Sequence, residues 1–303
     1  MPVEVIDALR PAPGRVIVDC TLGRGGHALE IARSLGPEGL LIALDADPRN
    51  LEYARARLRD APCPVRLFHA NFAELDEVLR QAGRATVDGI LADLGLSTNQ
   101  FLDPAYGLSF ATDDPLDMRI DPRTPRTAAD LVNRLPEREL ADLIYQLSDE
   151  RFSRRIARKI VEARAVSPIL TTGRLADLVR SALPSPTRAA AGSGRRRGGD
   201  GRGAERIDPA TRTFMALRMA VNAETDNLQR LLAVAPRRLA TGGRLAVLSF
   251  HSVEDRAVKL AFRSAEQTGL LRILSKKPLT PSEAEIAANP RARSAKLRAA
   301  EKA

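Results

Sequence analysis

Apolar residues follow two rhythms along this chain. Short, nearly solid runs occur at Arg15–Cys20, Leu40–Asp45, Val65–His69 and Val87–Asp93. Such runs predict strands buried on both faces. Between them apolar residues recur at helical spacing, as at Leu51, Ala54 and Leu58 after the helix-start pair Asp47-Pro48. Strands alternating with helices predict a parallel, doubly wound sheet. The next strand run is Arg244–Phe250, announced by Gly242-Gly243. The interval from Gly95 to Gly242 far exceeds the ~30 residues of a strand–helix–strand unit, so something is inserted after the fourth strand.

The insertion reads as helices. Pro136 opens PERELADLIYQL, and DERFSRRIARKIVEARAV follows, with Phe152, Ile156 and Ile160 predicted on one buried face. Arg151, Arg154, Arg155, Arg158 and Lys159 fill much of the rest of that helix, which is read as a contact for RNA backbone. Thr172 is placed as the cap of a third helix, and Asp208-Pro209 as the start of a fourth. Between these last two, Pro184–Ala204 is poor in apolar residues and rich in Gly and Arg, which predicts a flexible segment. Arg195, Arg196 and Arg197 within it read either as phosphate contacts or as part of a solvated loop. The expected organisation is a sheet domain over 1–105 and 208–303, interrupted by a helical domain over 106–207.

In open parallel sheets, ligands bind beyond the carboxyl ends of the strands. Four groups fall there: Gly23–His27 after the first strand, Asp45 after the second, Asn71-Phe72 after the third, and Asp93–Ser97 after the fourth. A glycine-rich turn lets a ligand approach backbone, and an acid about 20 residues later can hold ribose hydroxyls. This constellation predicts an adenosine-bearing cofactor. The third glycine of G-R-G-G-H-A comes one place too early for G-x-G-x-x-G. With Asp19 ending the first strand, the loop favours S-adenosylmethionine over a nicotinamide. Two further dense stretches are Gly107–Pro122, where Phe110, Leu116 and Met118 alternate with charges, and LSFHSVEDR, where Ser252 and Asp255 read as a capping pair.

Composition narrows the class. The chain has 303 residues, 44% of them hydrophobic, and only two cysteines, so neither a disulfide framework nor a zinc-type cluster is expected. MPVEVIDALRP has acids early and no basic-then-apolar layout, so no secretory leader is read there. No apolar run approaches the ~20 residues of a membrane span. A cytoplasmic location fits. Lys plus Arg total 47 against 38 acids, a net charge of +9, which points to a polyanionic partner.

The motifs DCTLGRGGH, LADLGLST, FATDDPLDMRID, DERFSRRIARKIV, DPATRTFMALRMAVN, SFHSVEDRAVK and ANPRARSAKLR together resemble, in order, those of the bacterial 16S ribosomal RNA (cytosine-N(4)) methyltransferase family. The resemblance runs over essentially the whole chain. It implies a Rossmann-like methyltransferase sheet with an inserted helical domain, S-adenosyl-L-methionine as cofactor, and methylation of a cytidine N(4) amine in the decoding region of the small ribosomal subunit. By motif, the cofactor residues are Gly25, Gly26, His27, Asp45, Phe72, Asp93 and Gln100. Asp93 is the first choice for contacting the amine, with Asp117 and His251 as secondary candidates for proton removal. D-L-G-L lacks the Pro-Pro-Tyr found after this Asp in DNA amino-methyltransferases, so an aromatic surface must come from elsewhere; Phe110 and Phe250 are the candidates. The basic stretches Arg151–Lys159 and Arg291–Arg298 would hold RNA. No metal is required. The oligomeric state is left open between monomer and weak homodimer. The rival readings are a nicotinamide-dependent oxidoreductase and a non-catalytic, RNA-binding assembly factor.

Overall fold

The computed structural model describes residues 1–183 and 208–303; Pro184–Ala204, and with it Arg195–Arg197, lies outside them. Seven strands form one sheet: β1 (Val16–Asp19), β2 (Leu40–Asp45), β3 (Val65–His69), β4 (Val87–Asp93), β5 (Leu239–Ser249), β6 (Leu271–Ile273) and β7 (Lys296–Lys302). Their order is β3-β2-β1-β4-β5-β7-β6. The first five strands are mutually parallel, while β7 runs antiparallel to both β5 and β6. This is the doubly wound, mostly parallel α/β sheet that the alternating pattern predicts.

The solid apolar runs arise because both faces of the sheet are covered. Val18, Ile42, Ile90 and Val247 pack on one face with Leu79, Leu231 and Phe262 from the helices Leu75–Gln81, Glu224–Arg238 and Ser252–Gln267. Their neighbours Ile17, Leu41, Leu91 and Ala246 pack on the other with Leu9, Ile31 and Leu51 from Pro2–Leu9, Gly26–Leu35 and Pro48–Arg57. Successive strand residues therefore point into two different cores, and neither set can be polar.

The chain divides into two compact units, Met1–Ser97 with Glu224–Ala303, and Thr98–Ala223. The second is helical, with Ala128–Arg134, Glu137–Ser148, Ser153–Val166, Thr172–Ala182 and Thr211–Val221 as its longer elements. Its 107–121 loop is packed rather than loose, since Leu116 and Met118 are buried. Asn222 ties this loop, donating to the Met118 carbonyl (2.8 Å) and accepting from the Ile120 amide (2.9 Å). Met118 is held at φ +66°, a conformation costing a non-glycine residue about 1–2 kcal/mol.

Several local expectations are corrected. Phe152 is exposed at the N-cap of Ser153–Val166, and only Ile156 and Ile160 of the proposed row are buried. Thr171, not Thr172, caps the next helix; Thr172 is buried and donates to the Thr112 carbonyl (2.9 Å). The helix after Asp208 begins at Thr211, and Asp208 accepts from the Ala210 amide and pairs with Arg180 (2.9 Å). The cap at Ser252–Gln267 is shifted by one residue: His251 is the N-cap, and Glu254, not Asp255, reaches back. Asp255 instead pairs with Arg298 (2.7 Å). Arg298 is thus buried in β7 rather than presented to RNA. Strands β6 and β7 had no reading in the pattern.

Candidate active site

Register brings the chemistry to one edge. Asp19 stands beside Ala43 and Leu91, while Asp93 stands beside Leu248. The order of strands reverses at β1, between β2 and β4, and ligand crevices form at such switch points. Asp19, Asp45 and Asp93, which end β1, β2 and β4, all belong to this edge.

The glycine loop is built around Asp45. Gly23 donates its amide to Asp45 Oδ2 (2.7 Å), the Asp47 amide donates to Oδ1 (2.8 Å), and Asn50 Nδ2 lies 3.3 Å from Oδ2. Asp45 therefore fixes the loop and still keeps acceptor capacity, since a carboxylate offers about four lone-pair sites. Gly25, at φ +74°, is the N-cap of Gly26–Leu35. A side chain there would be strained, and its Cβ would meet Ala54 at 3.5 Å. Asp47, as expected, caps the helix after Asp45.

His27 lies in the first turn of Gly26–Leu35, with Nε2 3.6 Å from Asp93 Oδ2. That is longer than a hydrogen bond. Burial pushes the His27 pKa down and the Asp93 pKa up, each opposed by the charge of the other. The Asp93 amide is anchored on Thr21 Oγ1 at 2.6 Å. Phe72 is half-buried in the 3₁₀ turn after β3, oriented by a capping box in which Asn71 accepts from Ala73 (2.9 Å) and donates to Glu74.

One residue of this edge was passed over as a site residue. Asp19 is 1% exposed, and one oxygen accepts from the Thr21 amide (3.1 Å). Burial, and then repulsion from Asp93 and Asp45, raise its pKa to about 7. Among the described residues the other oxygen has no hydrogen-bond partner, and neither do Asp93 Oδ1 and His27 Nδ1, all three atoms being buried. Buried polar groups normally find partners. Three orphans at one crevice mark a place for a polar, cationic ligand. The only sequence signal for Asp19 was a charge ending a buried run.

Two predicted residues lie in the helical unit. Gln100 is buried on the short helix Thr98–Leu102. Asp117 is gripped by Arg119 through two bonds of 2.7 and 2.8 Å. His251 accepts the Glu254 amide at Nδ1 (3.4 Å), and its Nε2 lies 3.0 Å from Glu254 Oε1. Glu224, His251 and Glu254 bring ligand atoms within 4.8 Å of one another. The accepting Nδ1, however, places the imidazole proton on Nε2 and closes that nitrogen to a cation.

A switch-point crevice with a glycine turn tied to a buried acid, and an orphaned carboxylate oxygen after β4, is the arrangement of an enzyme with a nucleotide-type cofactor. The chain belongs to the MraW methylase family, matched over residues 1–303. It is therefore a methyltransferase, and its cofactor is S-adenosylmethionine, which the orphaned carboxylates fit. It is 47% identical to ribosomal RNA small subunit methyltransferase H of Syntrophotalea carbinolica, over 99% of this chain and 95% of that one. It is 48% identical to the protein of that name from Solibacter usitatus, over 99% and 98%. Among solved structures it is similar to an rRNA methylase from Streptococcus thermophilus, with a TM-score of 0.45 and 13% identity over 100% of this chain and 96% of that one.

Proposed function

We propose that this protein methylates the exocyclic N(4) amine of a cytidine in the decoding region of 16S rRNA, acting in the cytoplasm on the small ribosomal subunit. The observation that carries this reading is Asp93, a half-buried carboxylate at the end of β4 whose buried Oδ1 has no hydrogen-bond partner among the described residues. The relatives named for the small-subunit RNA and the +9 charge support an RNA substrate.

Cytosine's amino nitrogen is a weak nucleophile because its lone pair is delocalised into the ring. Asp93 Oδ1 accepts a hydrogen bond from the amine and favours localisation of that pair. When bound, the cofactor supplies an electrophilic methyl carbon on a sulfonium. The methyl carbon would pass to the amine nitrogen with loss of its bond to sulfur, and the surplus amine proton would leave to water. Asp45 would accept from the ribose hydroxyls, Phe72 would lie along the adenine, and Gly25, Gly26 and His27 would line the loop side. Asp19 would face the positive charge of the methionine part. His27 keeps the Asp93 carboxylate turned toward the crevice. Asp117, with both oxygens held in the Arg119 fork, is assigned to holding the 107–121 loop. His251, with Nδ1 accepting the Glu254 amide, is assigned to holding the link between β5 and the following helix rather than to proton removal. The helical unit, through Arg151, Arg154 and Arg155, holds RNA backbone and recognises the substrate. The target base leaves its stack to reach the crevice.

Nucleoside mass spectrometry of 16S rRNA from cells with and without the gene tests the reading. Loss of one N(4)-methylated cytidine is expected. An unchanged nucleoside profile would instead identify a non-catalytic assembly factor.

A further inference from the structure

The chemistry above needs the cytosine ring held at a fixed tilt, and Asp93 alone fixes only one of its edges. We infer that Phe250 is the surface on which the target cytosine ring rests, and that Gly95 and Glu254 are its positioning residues. The inference rests on the proposed cytosine reaction and names how that site recognises its base.

The first observation is a close approach. A Cβ on Gly95 would lie 2.6 Å from Phe250 Cε2, 3.0 Å from Cδ2 and 3.1 Å from Cζ. The Phe250 ring therefore lies against bare backbone two residues beyond Asp93. Gly95 has no left-handed φ, so glycine is required here for space and not for conformation.

The second observation is a clamp. The Phe250 amide donates to Glu254 Oε2 at 3.0 Å, while the other oxygen of the same buried carboxylate lies 3.0 Å from His251 Nε2. The link between β5 and the helix Ser252–Gln267 is thus held from inside, and the ring has a fixed base.

The third is exposure. Phe250 packs against the core cluster that holds Leu91 and Leu248, yet remains only partly buried. Phe110, the other aromatic candidate, is already engaged: it meets Phe214 edge to face at 4.8 Å and lies under the Arg180 guanidinium. An aromatic face beside the acceptor for the amine supplies the second constraint. The ring face sets the tilt of an unstacked base, and Asp93 sets its rotation in the plane.

The test compares Phe250→Leu, Phe250→Tyr and Gly95→Ala with the unchanged full-length protein. Methyl transfer is measured on small subunits lacking the modification, and S-adenosylhomocysteine binding by calorimetry. Loss of one base–aromatic contact predicts kcat/KM lower by about 10- to 100-fold for Phe250→Leu and Gly95→Ala. Phe250→Tyr keeps the ring and should stay within about 3-fold, with S-adenosylhomocysteine affinity unchanged throughout. Wild-type kcat/KM in Phe250→Leu would overturn the inference. So would a fall in Phe250→Tyr as large as in Phe250→Leu, since volume and not the ring face would then matter. Parallel loss of S-adenosylhomocysteine binding would assign Phe250 to the cofactor crevice instead. If the unchanged protein itself transfers no methyl to cytosine, the proposed reaction fails and this inference with it; if it does and Phe250→Leu matches it, only the platform fails.

Discussion

At the scale of single residues the site is a problem in buried negative charge. Asp19 and Asp45 carry pKa values raised to about 7 and about 6, chiefly by burial. Both lie above the unfolded values near 4, so between about pH 4 and 7 the folded state binds more protons than the unfolded chain. Their share of stability is complete below about pH 4 and is lost as pH rises through 6 and 7. Asp19→Asn keeps the acceptor for Thr21 and removes the charge. Its Tm should therefore exceed the wild type's by a few degrees at pH 8 and by much less at pH 5, in calorimetric melts across that range. An equal shift at both pH values would contradict the assignment. A cationic cofactor reverses the balance, because it favours the ionised carboxylates. Affinity for S-adenosylmethionine in titration calorimetry should rise between pH 5.5 and 8, and Asp19→Asn should flatten that rise. Asp93→Ala is expected to lower methyl transfer by about 100- to 1000-fold while cofactor binding changes far less. Asp45→Ala should weaken cofactor binding and also cost about 1–3 kcal/mol of stability, because the Gly23 and Asp47 amides lose their acceptor.

At the scale of elements, the helix Ser153–Val166 is the surface we propose for RNA. Arg154 and Arg155 are exposed and carry no ion pair among the described residues, whereas Arg158 reaches Glu137 at 3.6 Å. Reversing Arg154 and Arg155 to Glu should weaken subunit binding by about 10- to 100-fold at 0.1 M salt. S-adenosylhomocysteine affinity, measured alongside, should not move; equal loss of both would indicate misfolding. The sequence pattern revealed β1 to β5 because strands covered on both faces must be apolar at every position. It could not reveal β6 and β7. KLRAAEK carries Lys296 and Arg298 on the side where Asp255 waits to neutralise them, and LRI is too short to show a period. The caps slipped by one residue at Thr171 and His251 for a similar reason. Adjacent Thr171 and Thr172, or His251 and Ser252, offer equivalent oxygens or nitrogens, and only tertiary partners choose between them. Phe152 looked like core by spacing but falls at a helix start, where the chain has not yet turned inward. In the site, the loop glycines, Asp45 and Asp93 were legible from order and spacing. Asp19 was legible only as the acid ending the first strand, and Thr21 and Glu254 not at all, because what marks them is an orphaned or shared oxygen.

At the scale of the molecule, the sheet unit is built from two distant stretches, 1–97 and 224–303, so the edge holding Asp19, Asp45 and Asp93 is completed by a strand and ring that arrive late in the chain. Among the described residues, no helix is long and apolar enough to cross a membrane. In this proposal the net charge of +9 serves the RNA substrate and not the cofactor. Raising salt from 50 to 200 mM should therefore weaken subunit binding by about 1000-fold or more if six or more phosphates are engaged, and leave S-adenosylhomocysteine affinity nearly constant. The most direct measurement uses the purified protein, small subunits lacking the modification, and S-adenosylmethionine labelled in its methyl group, followed by nuclease digestion and mass spectrometry. The account predicts label on the N(4) amine of one decoding-region cytidine, dependent on Asp93. Label on ring carbon or ribose, or no transfer from a protein that still binds the donor, would contradict it.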